Sequence, residues 1–262
     1  MPDYKLTIHD LCIETTRRCN MACAHCMRGD AMNRDLDPAL LDKLFSRLSG
    51  IGNITPTGGE PSLNPAALLQ IRDAIIKHDV HVEGIYLVTN GKEITDEFLH
   101  NFLSLLMATD MEPELSGLAL SQDMFHDKIP YNNKAKLRLL SCYREDDKKT
   151  DWTRVPVLDI GRGSDIVIVS NKDPYRPQNP LSADFADDTF QLEDTLTLTV
   201  DGYLLPYGDY AYEEVENLAI CNVNDPDWYE QLIVEILNQN PLIAEILNQN
   251  PLIAEQLAEV RV

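Results

Sequence analysis

An α/β fold, a partial (β/α)6 barrel followed by a small C-terminal hairpin-plus-helix extension, is what this sequence predicts. Three observations lead to it. Short apolar, strand-like runs alternate with amphipathic helical ones through the first ~170 residues, the pattern of βα units around a parallel sheet. Helices open on capping residues, twice an Asx-Pro pair. The character of the chain then changes across a Pro- and Asn-rich connection at 173–182. A length of 262 residues with 44% hydrophobic content suits one large domain, or a domain with an appendage, able to bury a proper core.

Taken in order, "LCIET" at 11–15 reads as the first strand. "DPALLDKLFSRL" follows as a helix, with Asp37 as N-cap, Pro38 at the first helical position, and Leu41, Leu44, Phe45 and Leu48 on one face. "IGNITPTGGEP" is the second strand and its exit loop, and "NPAALLQIRDAIIKH" a second helix capped by Asn64, with Leu68, Ile71, Ile75 and Ile76 inward. "GIYLVTNG" is a third strand, and Thr95 caps a third helix bearing Phe98, Leu99, Phe102 and Leu106. "LSGLALSQD" is a fourth strand, a polar helix covers Lys128 to Tyr143, a fifth strand lies around Val155 to Ile160, and "DIVIVSN" makes a sixth. About six units are too few for the eight of a closed barrel.

Residues 1–170 are therefore expected to form the barrel and 171–262 the extension. In the latter, "DTLTLTVDGYLLPYGD" reads as a hairpin turning at Asp201-Gly202. "EILNQNPLIA" occurs at 235–244 and again at 245–254, with Pro241 and Pro251 each interrupting a helix. Two copies of ten residues are too few for a solenoid, and we attach no chemistry to them.

Charge divides the chain in the same place. From Pro177 to Val262 there are 17 acidic residues against the single Arg261, a charge of −16, which leaves −21 − (−16) = −5 for residues 1–176. Such a field repels nucleic acid and anionic membranes from the C-terminal part. Any nucleic acid would have to approach the basic region Lys134 to Arg162, a run that is more often a solvated face. No stretch reaches the roughly 18 apolar residues of a membrane span, and the N-terminal residues carry acids and cysteines where a signal peptide has an apolar core. A cytoplasmic location is expected. Six cysteines are too few for a disulfide scaffold, so a tight cluster points to ligation.

That cluster is "RRCNMACAHCMRGD", with Cys19, Cys23 and Cys26 within eight positions and no fourth cysteine nearby. An iron–sulfur cubane held by three thiolates keeps one iron open for an exogenous ligand. Zinc is the rival, since Cys₃His sites are common and His25 lies inside the loop. A compact C-x₃-C-x₂-C directly after a strand favours one object wrapped by one loop. His25 has a second use open to it, turning its imidazole onto a neighbouring aromatic ring.

Together with "TGGEP", "VTNG" and "LALSQD" in that order, the cysteine loop resembles the radical S-adenosylmethionine (radical SAM) superfamily over roughly residues 7–165. The resemblance implies that Cys19, Cys23 and Cys26 hold one 4Fe-4S cluster and that His25 packs near the adenine of S-adenosylmethionine. It implies that Gly58, Gly59, Glu60 and Pro61 meet the methionine end, and that Thr89, Asn90, Ser121 and Asp123 supply polar contacts to ribose and carboxylate. Read from the residues alone, glycines at a strand exit admit close backbone approach, while Thr89, Asn90 and Ser121 could each simply cap a loop. "GRG" at 161–163 is a plausible adenine-side loop, His126 reads as a structural or solvated histidine, and Cys12 as a buried small hydrophobe.

The segment from Leu196 is similar to the start of the SPASM or twitch extension, in which a "DGxxxPC" hairpin supplies a cysteine to a second cluster. Here Tyr207 stands in that place. Cys12, Cys142 and Cys221 are too few and too scattered for a second Cys₄ site, so the extension is expected to wall a pocket without metal.

The function implied is reductive cleavage of S-adenosylmethionine to a 5′-deoxyadenosyl radical. That radical takes hydrogen from a small molecule or modified nucleotide, with an electron donor such as flavodoxin or ferredoxin. Alternatives are a maturase of a ribosomal peptide, a glycyl-radical activase and, from another class, a non-catalytic zinc or cluster protein.

Overall fold

A break in the alternation of the first strand explains how it comes to sit at the centre of the molecule. In the computed structural model, which describes residues 4–144, 157–166 and 171–248, β1 (Lys5–Thr16) buries Leu6 and Ile8, then Leu11 and Ile13. Its ladder with β9 shifts register between Ile8 and Asp10, the extra residue lying in β9, and both apolar pairs belong to one core cluster despite the slip in sequence period.

The units that follow are α1 (Pro38–Phe45), β2 (Leu48–Gly58), α2 (Pro65–His78), β3 (His81–Thr89), α3 (Asp96–Leu106), β4 (Gly117–Leu120), α4 (Tyr131–Leu137) and β5 (Tyr143–Arg144). β1 through β5 are joined in sequence order by parallel ladders. Asp37 and Thr95 cap as their types suggest, Asp37 Oδ1 accepting from the Ala39 amide at 2.9 Å and Thr95 Oγ1 from the Phe98 amide at 3.0 Å. Asn64 does not cap: its Nδ2 donates to the Thr15 carbonyl at 2.8 Å and ties the start of α2 to the end of β1. Two expectations are corrected: Leu48 is in the core but opens β2 rather than closing α1, and Ile76 is 65% exposed, one step off the apolar face of α2.

The fifth and sixth strands also differ from expectation. The fifth strand of the sheet is Tyr143–Arg144, where the end of a helix was expected. Of the expected strands at 155–160 and 165–171, the described parts are β6 (Val157–Leu158) and β7 (Asn171–Lys172), which pair with each other in a separate two-stranded sheet. Residues 155–156 and 167–170 lie outside the described residues, as do Lys148, Lys149 and Arg154 of the basic region. The described members of that region are engaged: Lys136 Nζ pairs with Asp96 at 2.6 Å, and Arg144 Nη2 donates to the Glu114 and Ser116 carbonyls at 2.9 and 2.7 Å.

The C-terminal part continues with β8 (Ala183–Ala186), β9 (Thr189–Leu198), β10 (Tyr203–Leu205), α5 (Val215–Leu218), β11 (Cys221–Asn222), α6 (Trp228–Gln239) and α7 (Pro241–Asn248). The hairpin read from the sequence is present: β10 returns antiparallel on β9, with Gly202 at φ +88° in the turn. β9 itself lies parallel to β1, from Lys5 opposite Thr189 to Ile13 opposite Leu198, on the side away from β2. The expected barrel (1–170) and extension (171–262) thus both contribute strands to one sheet, and Phe190, Leu192, Leu196 and Leu198 share the core with Leu6 and Ile13. Pro241 separates α6 from α7 as expected; Pro251 lies outside the described residues. Among the described residues, no helix is long and apolar enough to cross a membrane. The C-terminal ends of β1, β2, β3 and β4 open at one edge of the sheet, the place where α/β folds gather their functional loops.

Candidate functional site

The cysteine loop leaves β1 at Thr16 and is held in shape by backbone bonds: the Arg17 amide to the Arg34 carbonyl at 2.8 Å, and the Met32 amide to the Arg17 carbonyl at 2.9 Å. The next strand end braces it from below. Gly59 N donates to the Thr16 carbonyl at 2.7 Å and Glu60 N to the Arg18 carbonyl at 2.8 Å. An added Cβ at Gly58, which sits at φ +126°, would come within 2.2 Å of the Thr16 oxygen, and one at Gly59 within 2.2 Å of the Arg18 oxygen. The close approach these glycines permit is therefore first to the protein's own backbone beneath the cysteines. Gly161 acts similarly, a Cβ there lying 2.3 Å from the Met27 oxygen, and the Arg162 amide donates to the Cys26 carbonyl at 3.0 Å; Gly163 instead lies closest to the Leu158 carbonyl. The "GRG" segment is a strut of the cysteine loop.

Cys19, Cys23 and Cys26 line one small cleft together with Arg17, Arg28 and Gly59. Burial pushes the Cys19 thiol up, and burial together with the neighbouring Cys19 and Cys26 thiols pushes Cys23 up to about 11. Three thiols side by side, two of them resisting ionisation, form a donor set suited to a cationic centre, and none of Cys12, Cys142 and Cys221 lines the cleft. The residues present fit a cluster held by three thiolates.

The remaining predicted residues form two sets. Glu60, 2% exposed, accepts from the Ser62 amide (3.0 Å) and Thr89 Oγ1 (2.6 Å) on one oxygen and from the Asn90 amide (2.8 Å) on the other. Asn90 Nδ2 donates to Asn20 Oδ1 in the cysteine loop at 2.8 Å. Pro61 starts the short 3₁₀ turn that Glu60 caps. Glu60, Thr89 and Asn90 thus lock three loops together, and both Glu60 oxygens are used within the protein. The second set is at the end of β4: Ser121 Oγ lies 3.0 Å from His126 Nε2, His126 Nδ1 lies 2.7 Å from Asp123 Oδ1, and His25 Nε2 lies 3.3 Å from Asp123 Oδ2. Burial opposes the charge on Asp123, but hydrogen bonds from His126, His25 and the Phe125 amide hold its carboxyl well below the usual carboxylate range. His25 does turn its ring onto an aromatic neighbour, stacking on Phe125 at 4.7 Å. His25, Asp123 and His126 are close enough to share a cation, yet each already spends a polar atom on another member.

Two cavities flank the cysteine loop. One of about 570 Å³ lies toward the ends of β3 and β4, lined by Cys19, Asn20, Cys23, Lys92, Phe125 and Asp127. The other, about 450 Å³, lies on the opposite side against Arg28, Arg162, Ser164, Tyr212 and Glu213. The sequence reading passed over Arg17, Arg28, Tyr210 and Tyr212, whose only signal was the crowding of arginines around the cysteines and of tyrosines in "YGDYAYEE". Tyr210 is fully buried, with Arg28 stacked on its ring at 3.6 Å, and Arg17 lies over Tyr212 at 4.5 Å.

Comparison with known proteins agrees with this arrangement. Residues 13–138 match the family model described as the Radical SAM superfamily. A GTP 3',8-cyclase of Chlorobaculum tepidum is 34% identical over 89 residues, which cover 32% of this chain and 26% of that protein. The chain thus matches about a quarter of that relative's length. The solved structure of histidine-tagged anSMEcpe with bound AdoMet superposes with a TM-score of 0.51 at 11% identity, covering 89% of this chain and 81% of that one. Native anSMEcpe with AdoMet and the Cp18Cys peptide gives the same values. These likenesses to solved structures show the fold.

Proposed function

Proceeding from the premise that this chain is a radical SAM enzyme that uses a 4Fe-4S cluster and S-adenosylmethionine, we propose that it cleaves S-adenosylmethionine reductively and takes a hydrogen atom from a substrate held at the strand ends. The observation that carries the reading is the convergence of Cys19, Cys23, Cys26 and Gly59 on one cleft, with no other cysteine lining it. When bound, the cluster and S-adenosylmethionine supply one-electron cleavage of a carbon–sulfur bond and a 5′-deoxyadenosyl radical.

The chain's own residues do the rest. Cys19, Cys23 and Cys26 hold the cluster as thiolates, and Cys19 and Cys23, whose thiols burial keeps protonated, release their protons on loading. Gly58 and Gly59 set the floor of the cleft, since only a residue without Cβ lets 58–60 lie against 16–18. The Glu60–Thr89–Asn90–Asn20 chain of bonds keeps the strand ends from shifting relative to the cysteines. The 570 Å³ cavity beside Cys19 and Cys23 is in the range that holds a small cofactor, and Phe125 together with the Ser121–His126–Asp123–His25 cluster shapes its β4 side. This supports a reading in which ribose and carboxylate are met there and His25 and Phe125 offer a flat wall for adenine.

The substrate is a small molecule or modified nucleotide, and the electron comes from a donor of the flavodoxin or ferredoxin type. A peptide substrate is the second reading, supported by the extension and by the peptide bound to anSMEcpe. The test is anaerobic reconstitution followed by dithionite reduction with S-adenosylmethionine. Four irons per chain and 5′-deoxyadenosine are expected; colourless, zinc-bearing protein without 5′-deoxyadenosine would refute the reading.

A further inference from the structure

Arg28 is 5% exposed, and its guanidinium is met by the Tyr210 carbonyl, at 2.9 Å from Nη1, and by the Tyr210 ring; its Nε has no partner. Among the described residues no carboxylate pairs with it. Arg17, equally buried, makes a contrast, since Glu14 and Asp201 sit at 3.2 and 2.8 Å from it. A buried cation without a counter-charge is costly, and it persists where an anion completes the site.

Arg28 does not stand alone. Arg162 and Tyr212 line the same 450 Å³ cavity, which adjoins the cysteine cleft through these three residues, and Arg162 Nε and Tyr212 Oη are likewise buried without partners. Burial holds the Tyr212 hydroxyl protonated and so a donor. Asp30, Asp165 and Glu213 also line the cavity, but all three are exposed and belong to its rim, where Asp30 meets Arg162 Nη1 at 3.2 Å. The cavity is thus cationic at its base and anionic at its mouth.

We infer that this cavity binds the oxyanion end of a small ligand, a carboxylate or a phosphate, between Arg28, Arg162 and Tyr212, and that this ligand is the substrate. The inference rests on the reading above in that the ligand is presented to the cysteine loop from the face opposite the S-adenosylmethionine cavity. Planar guanidinium donors and a hydroxyl suit an oxyanion, and the rim carboxylates disfavour a polyanion while accepting a neutral or cationic far end.

The experiment is calorimetric titration of the cluster-loaded protein with inorganic phosphate, butyrate and tripolyphosphate, with and without saturating S-adenosylmethionine. Saturable binding of phosphate or butyrate is expected, and the tighter of the two identifies the head group. Arg28→Met should weaken it at least tenfold when affinities are compared per iron-loaded chain, since Arg28 also borders the cysteine cleft. Tripolyphosphate binding more tightly than both, or S-adenosylmethionine displacing the anion, would overturn the proposal. So would complete loss of iron in Arg28→Met, because the cluster would then be the counter-charge. Should that variant fail to fold, Arg162→Gln and Tyr212→Phe serve instead: each should weaken binding several-fold, and unchanged binding in both overturns the proposal. 5′-Deoxyadenosine formed without anion binding would sink this inference and spare the enzymatic reading; anion binding without 5′-deoxyadenosine would sink the reading instead.

Discussion

The two sides of the cysteine loop are built on opposite terms. On the side of β2, β3 and β4, the buried carboxylates are matched: Glu60 spends both oxygens, Thr89 and Asn90 are tied to it, and Asp123 serves two histidines, while Ser62 Oγ and His25 Nδ1 stay unpartnered at its margins. On the side of residues 28, 162 and 210–212, Arg28, Arg162, Tyr210 and Tyr212 each retain a buried polar atom with no partner. A satisfied network makes a rigid wall, while unsatisfied buried donors mark a surface built for something that is not part of the chain. On the reading proposed above, the first side positions the cofactors and the second receives a ligand.

The largest expected effect breaks the comparison altogether. Removing residues from 185 onward takes β9 off β1 and strips Phe190, Leu192, Leu196 and Leu198 from the core. At about 1.5–3 kcal/mol for each buried side chain, the loss rivals the whole stability of an ordinary domain and leaves β1 as an open edge. Insoluble or unfolded protein by circular dichroism is expected; a soluble fragment that binds iron would show the two parts to be separable.

Next come the cysteines: Cys19→Ala, Cys23→Ala and Cys26→Ala should each abolish the cluster, measured as iron per chain after reconstitution. Gly59→Val should do nearly as much. Its side chain strikes the Arg18 carbonyl, so cluster and S-adenosylmethionine binding should fall together. A variant that kept full iron but lost S-adenosylmethionine would show that Gly59 faces the ligand and not the loop.

Glu60→Gln sharpens the comparison by damaging only the matched side. Gln keeps the size but turns one acceptor into a donor facing the Asn90 amide or Thr89, costing about 1–3 kcal/mol in denaturant titration. Anion binding at Arg28 should survive in the folded protein. Asp123 contributes through pH: because its folded-state pKa is depressed, its stabilisation is complete above the unfolded value of about 3.9 and is lost as pH falls below it. Asp123→Asn should lower stability at neutral pH and flatten that acid limb. The smallest effect is Tyr207→Cys, which should add no iron, since a second cluster would still lack most of its thiolates.

Much of this was legible in the sequence because it is local. Caps at Asp37 and Thr95, the hairpin at Asp201-Gly202, and the order of cysteine loop, GGEP and strand-end polar groups depend on neighbours a few positions apart. Asn64 shows the limit: its residue type suggests a cap, but a carbonyl 49 positions away claims its side chain. The contacts that Gly59 and Glu60 make within the protein were out of reach for the same reason. A glycine's need for closeness is visible in sequence, whereas what it approaches is not.

The sequence by itself determined the alternation of strands and helices, the three-cysteine loop with its open coordination, and the acidic hairpin. Only the tertiary structure decided that β9 lies parallel to β1, and that the tyrosines after the hairpin reach Arg17 and Arg28 beside the cysteines. The physical reason is that a strand's period records which face is buried but not which strand lies beside it. Parallel partners are chosen by competition between open edges across nearly two hundred residues of intervening chain, and a buried charge's partner is chosen by what that packing brings near.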